Sequence, residues 1–121
     1  MDFSGSEVVM QGTRFLRVTD KAISVGESSE LTARDVEVES CAVGAASKDA
    51  SKVTLNNSRI ADASVAGLMS YVKKPEYGPA SLIADDVSIT GTSTPARVQR
   101  GSELWLNGAP IETDEIGVES L

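Results

Sequence analysis

The sequence predicts an all-β chain: a single-stranded, right-handed parallel β-helix of about five coils of roughly 22 residues each. Three observations predict it. A ten-residue unit, clearest at residues 51–60, recurs at spacings of 23, 22, 29 and 22 residues. Within each unit apolar and polar residues alternate at the period of a half-buried strand. Aromatic residues make up only 4% of the chain against 40% hydrophobic residues, so the core must be built from Val, Ile, Leu and Ala, as in thin layers of stacked strands.

The units are marked by Ser6, Ser29, Ser51, Ala80 and Ser102. Two residues on stand Val8, Leu31, Val53, Leu82 and Leu104, and four on stand Met10, Ala33, Leu55, Ala84 and Leu106. Nine on stand Phe15, Val38, Ile60, Ile89 and Ile111. All fifteen positions are apolar. Between the two strands of each unit sit Gln11-Gly12, Arg34-Asp35, Asn56-Asn57, Asp85-Asp86 and Asn107-Gly108, a column rich in residues that tolerate left-handed backbone. Asn56-Asn57 alone looks like a hairpin turn. The repeat instead makes it a corner, with each flanking strand pairing in parallel with its counterparts one coil away.

A third strand closes each coil. Its inward positions, six and four residues before the next mark, are Ile23 and Val25, Ala45 and Ser47, then Ala96 and Val98, and the equivalents in the longer third coil are read as Gly67 and Met69. Stacking such coils at about 4.8 Å gives each inner strand hydrogen bonds on both sides, and five coils make a prism roughly 20–24 Å long. A left-handed hexapeptide helix would need a shorter coil with six-residue periodicity. Leucine-rich repeats would need a Leu/Asn framework that is missing here.

The third coil is seven residues longer, and the excess falls in residues 70–79, punctuated by Pro75, Gly78 and Pro79. Loops projecting from a rigid solenoid commonly carry function. Residues 1–6 enter in mid-coil, which leaves an open strand edge for further coils or a second chain to cover. Residues 1–111 are read as the repeat domain. Residues 112–121 break the repeat, carry four acids, and are read as a tail or cap.

Composition excludes much. A net charge of −7 argues against non-specific binding to nucleic acid and to anionic membrane surfaces. No apolar run reaches membrane-spanning length and no signal peptide is visible, so no membrane insertion is expected. Histidine is absent, which removes the commonest general base and transition-metal ligand. Cys41 is the single cysteine, with no intrachain partner and no His to activate it, and is read as a small buried residue. No cofactor is expected, and the acids are not arranged as a calcium loop.

Four segments resemble bacterial right-handed parallel β-helix proteins of the type found with CotH-kinase-like or lamin-tail extracellular modules. They are DFSGS at residues 2–6, DKAISVGE at 20–27, VGAASKD at 43–49 and GLMSYVKKPEYGPA at 67–80. The resemblance implies a module of a cell-surface or secreted protein, and it implies no catalytic residues.

On the coils, Glu27, Lys48, Asp49, Lys73, Lys74 and Glu76 fall at or near the corner between the third strand and the next coil, with Tyr71 and Tyr77 beside them. Asp20 and Lys21 lie close to the same face. Three readings of this cluster compete. It is a register-fixing ladder of ion pairs, each worth little when exposed. It is a glycan groove, with tyrosine rings as flat apolar faces and charged groups bonding hydroxyls. Or it is a polysaccharide-cleaving site, with Glu27 and Asp49 as paired carboxylates and Lys48 as a base lowered by desolvation. The candidate ligand-binding set is therefore Glu27, Lys48, Asp49, Tyr71, Lys73, Lys74 and Tyr77. The functional expectation is a non-catalytic scaffold or interaction module, with polysaccharide binding or cleavage as the alternative. An outward stripe of Val9, Thr32, Thr54, Ile83 and Trp105 offers a docking face for the C-terminal stretch or a second copy. Homo-oligomerisation through the open coil end or the Trp105 face is the partner expectation beside polysaccharide.

Overall fold

The structure, a computed structural model, describes residues 1–114. Among these residues there is no helix. The strands are β1 (Asp2–Ser4), β2 (Glu7–Gln11), β3 (Arg14–Leu16), β4 (Lys21–Gly26), β5 (Glu30–Arg34), β6 (Glu37–Lys48), β7 (Lys52–Tyr71), β8 (Ser81–Thr90), β9 (Ala96–Gln99), β10 (Glu103–Leu106), β11 (Ala109–Pro110) and β12 (Thr113–Asp114). They stack in parallel as a β-solenoid of about five turns.

Three faces run along the stack. The first holds β2, β5, the starts of β7 and β8, and β10. The second holds β3, the first part of β6, the middle of β7 and the end of β8. The third holds β1, β4, the ends of β6 and β7, β9 and β12. The expected register is observed on the first face, where Val8, Leu31, Val53, Leu82 and Leu104 are consecutive partners. Phe15, Val38, Ile60 and Ile89 do the same on the second. Leu31, Val53, Ile60, Leu82 and Leu104 are each about 1% exposed or less. Burying a side chain of this size contributes about 1.5–3 kcal/mol, so these columns drive coil closure and fix the register together.

Asn56-Asn57 is a corner within the continuous β7, not a hairpin. Gly12, Asp35, Asn57 and Asp86 stack there with φ of 65°, 55°, 47° and 55°. Only glycine and the small polar residues adopt this left-handed region readily, which explains the column's composition. The second corner repeats the device with Arg17, Ser40, Asp62 and Gly91. The serines that mark the repeat have a structural role at the third corner. Ser6 N–H donates to Ser29 Oγ at 3.0 Å, Ser29 N–H to Ser51 Oγ at 3.2 Å, and Ala80 N–H to Ser102 Oγ at 3.1 Å.

Two details differ from the sequence reading. On the third face Leu68 and Ser70, rather than Gly67 and Met69, take the inward positions, because Ala45 pairs with Leu68 and Ser47 with Ser70. The cause is a β-bulge: the pairing steps from Cys41↔Ala63 to Val43↔Ala66, inserting one residue into β7. Gly67 is instead a place of close approach, since a Cβ on it would sit 2.6 Å from the Pro95 carbonyl oxygen and 2.8 Å from Ile89 Cγ2.

The fifth coil also ends differently. Rather than carrying Ile111 onto Ile89 in parallel, β10 turns back into β11, with Trp105 opposite Pro110 and Leu106 opposite Ala109. Asn107 and Gly108, at φ 50° and 84°, supply the two left-handed residues that a type I′ turn requires. Ile111 still packs against the core, and its N–H donates to the Leu104 carbonyl at 2.9 Å. Residues 113 and 114 then add a rung to the third face. The remainder of the expected tail or cap, residues 115–121, lies outside the described residues.

Candidate functional site

At the third corner the chain brings together most of the residues singled out from the sequence. Lys48 and Asp49 end β6 and begin its turn, and Glu27 occupies the equivalent turn one coil earlier. The longer third coil does not project freely. Val72 N–H donates to Gln99 Oε1 at 2.7 Å, and Ala50 N–H donates to the Gly78 carbonyl at 2.8 Å. In between, the backbone N–H groups of Lys73 and Lys74 both donate to Asp49 Oδ1 at 2.7 Å. Asp49 is 1% exposed, so its carboxylate acts as a buried anchor for the loop.

The anchored loop places Lys74 on Glu27, two coils below it. Lys74 Nζ donates to Glu27 Oε1, and Ser4 Oγ donates to Glu27 Oε2. These hydrogen bonds, Lys74 first, hold the Glu27 carboxyl below the usual carboxylate range, and Glu27 in turn raises Lys74. Under the loop lies a cavity of about 290 Å³ lined by Asp2, Phe3, Ser4, Ser24, Gly26, Glu27, Lys48, Asp49, Lys73 and Lys74. The Lys48 stem lies over Gly26, where a Cβ would meet Lys48 Cε at 3.2 Å. Burial lowers the Lys48 ammonium, and the nearby Lys21 and Lys73 lower it further, against the opposing pull of Asp2 and Asp49.

The two tyrosines fare differently. Tyr77 is half-buried in the loop, its N–H closing a turn onto the Lys74 carbonyl at 3.0 Å, while Glu76 beside it is exposed. Tyr71 is 0% exposed and joins Val43, Ala46, Ala66 and Met69 in a second apolar cluster, so it offers no face to a sugar. Burial, then Asp49 and Asp20, push its phenol up to about 12. Its hydroxyl has no partner among the described residues. Of the seven predicted residues, the structure therefore gathers Glu27, Lys48, Asp49, Lys73 and Lys74 around one cavity, keeps Tyr77 on the loop, and removes Tyr71 to the interior.

A larger concave surface was not anticipated. An open groove of about 1050 Å³ follows the first corner through all five coils, from Gly12 through Asp35, Asn57 and Asp86 to Gly108. Its wall includes Arg14, Glu37 and Arg59, in register on the second face, with Ser88 above them. Asn57 Nδ2 donates to Asp35 Oδ1 at 2.6 Å, and Arg14 lies 3.7 Å from Glu37 and 4.0 Å from Glu39. The signal was present in the Asn/Asp/Gly column, which shows where the backbone turns but not that the turn leaves a trough.

Cys41 is buried, and desolvation, reinforced by Asp62, raises its thiol. Among the described residues no group of three or more Cys, Asp or Glu is placed to hold a metal ion, and no helix is long and apolar enough to cross a membrane. Comparison of the chain with protein families, curated proteins and solved structures finds no match.

Proposed function

We propose that the chain is a non-catalytic interaction module that presents the first-corner groove to an extended polar chain, a polysaccharide. The observation that carries this reading is the groove's continuity. It crosses five coils, a span of about 19 Å at the 4.8 Å rung spacing. It is lined by carboxamide, carboxylate, hydroxyl and guanidinium groups that suit sugar hydroxyls. The four coils from Arg14 to Ser88 each place a polar side chain at the same register of the wall, so an extended ligand meets a polar contact on successive coils. Asp35 is already engaged by Asn57 and Arg14 by Glu37 and Glu39, an arrangement that suits binding more than acid–base work. The motif resemblance to β-helix modules of bacterial surface and secreted proteins supports an extracellular setting.

Calorimetric titration with soluble polysaccharide fragments tests the reading. Saturable binding is expected with at least one acidic or neutral glycan, weakened about tenfold in Arg59→Ala, the scale of one lost charged hydrogen bond. No saturable binding across the panel, or undiminished binding in both Arg59→Ala and Asn57→Ala, sinks the reading.

A further inference from the structure

The third-corner cavity is separate from the groove and has its own chemistry. Its floor is made of small residues of β4: Ser24, 3% exposed, and Gly26. The Ser24 hydroxyl has no hydrogen-bond partner among the described residues, although buried hydroxyls are almost always paired. The Lys48 ammonium has no carboxylate within ion-pair distance among the described residues, although it is partly buried. The other charged groups of the lining are largely committed: Glu27 to Lys74 and Ser4, and Asp49 to the two loop N–H groups. The Lys48 ammonium and the Ser24 hydroxyl thus belong to the cavity lining without a close partner, since Asp2 and Asp49 act on Lys48 only from beyond ion-pair distance.

We propose that this cavity is a binding site for a small carboxylate, held between the Lys48 ammonium and the Ser24 hydroxyl. A monoanion fits better than a phosphate dianion. The lining carries Asp2, Glu27 and Asp49 against Lys48, Lys73 and Lys74, a formal balance of zero, so a second negative charge meets acids without a spare cation. At about 290 Å³ the cavity lies at the small end of ligand pockets, which run from about 300 Å³ upward, so the ligand is a compact acid such as a single uronate rather than a chain. A carboxylate there also opposes what lowers Lys48, its burial and crowding by Lys21 and Lys73, adding to the pull of Asp2 and Asp49. The site is independent of the polysaccharide reading, because it shares no lining residue with the groove.

The test is an NMR titration of the full chain with glucuronate, acetate and inorganic phosphate, following the backbone amides of Ser24, Gly26 and Lys48. Glucuronate is expected to give saturable shifts at these amides and to bind more tightly than phosphate. Lys48→Met, which keeps the stem over Gly26 and removes the charge, is expected to weaken glucuronate at least about tenfold. Ser24→Ala is a smaller change that keeps the fold testable, and is expected to weaken binding several-fold. Lys52→Met, on the exposed first face, leaves binding unchanged. Absence of saturable shifts with either carboxylate, equal loss in Lys52→Met, or tighter binding of phosphate overturns the proposal. Shifts confined to Asp35, Asn57 and Asp86 would report the groove alone and overturn it too, leaving the groove reading standing.

Discussion

Asp49 Oδ1 accepts the backbone N–H of Lys73 at 2.7 Å, and the next N–H along, that of Lys74, at the same distance. One buried carboxylate thereby fixes the loop that walls the third-corner cavity. Asp49 also holds a left-handed φ of 54°, a conformation Asp and Asn tolerate better than Ala. Asp49→Ala is expected to cost about 2–4 kcal/mol, from two charge-assisted bonds and added backbone strain. Asp49→Asn, which keeps an acceptor and the backbone preference, is expected to cost about half as much. Hydrogen exchange at the Lys73 and Lys74 amides should accelerate in step with the loss, and unchanged exchange in Asp49→Ala would remove the anchor from the account.

Asn107 closes the top of the second face. Its Oδ1 accepts from Val87 N–H at 3.0 Å and its Nδ2 donates to the Val87 carbonyl at 2.9 Å, taking the place of a further strand. Asn107→Ala leaves both backbone groups without that partner and strains the left-handed turn. A loss of about 1–3 kcal/mol in denaturant unfolding is expected. Asn107→Asp, which keeps the acceptor and loses the donor, should fall between.

Ser70 points into the core with 0% exposure, and its hydroxyl has no partner among the described residues. An unpaired buried hydroxyl costs free energy that a methyl group does not. Ser70→Ala is therefore expected to raise stability by about 1 kcal/mol, read as a higher midpoint in thermal unfolding. A fall in the midpoint would mean the hydroxyl is satisfied in solution.

Tyr71 makes stability depend on alkaline pH. Its phenol is raised from the usual value near 10 to about 12 by burial and the nearby acids. The folded state therefore holds the proton longer than the unfolded state. The stabilising contribution is full below the unfolded value and is lost progressively as pH rises from about 10 to about 12, by on the order of 2 kcal/mol. In Tyr77→Phe, where Tyr71 is the remaining tyrosine, ultraviolet titration should show a phenol that ionises near 12, together with unfolding. Ionisation near 10 without unfolding would place the ring at the surface.

The solenoid was legible because its apolar columns recur with one residue type per rung: Val8, Leu31, Val53, Leu82 and Leu104 need no structure to be aligned. The inward pair Leu68 and Ser70 was misplaced by one because a bulge near Cys41 and Val43 leaves no compositional trace when both flanks are small. Asn107-Gly108 matched the corner column, yet there the chain makes a hairpin. The same left-handed residues serve both, and among the described residues β10 pairs antiparallel with β11 where the other coils turn a corner. At the third corner, Glu27, Lys48, Asp49, Lys73 and Lys74 line one cavity, and the repeat shows their proximity because corners of adjacent coils must be close. Tyr71 was misjudged because strand alternation places it outside the coil, while its burial arises among Val43, Ala46, Ala66 and Met69 on the outer side of the third face. The groove went unseen because depth at a corner depends on how far the neighbouring side chains reach, which a pattern of residue types does not record.

The most direct test of the proposed function is the amide shift map of the chain titrated with the polysaccharide fragment that binds it best. The account predicts that Asp35, Asn57 and Asp86, on three successive coils, shift together with one dissociation constant. Saturable shifts centred instead on Glu27 and the Lys73–Lys74 loop, with those three amides unmoved, would contradict it.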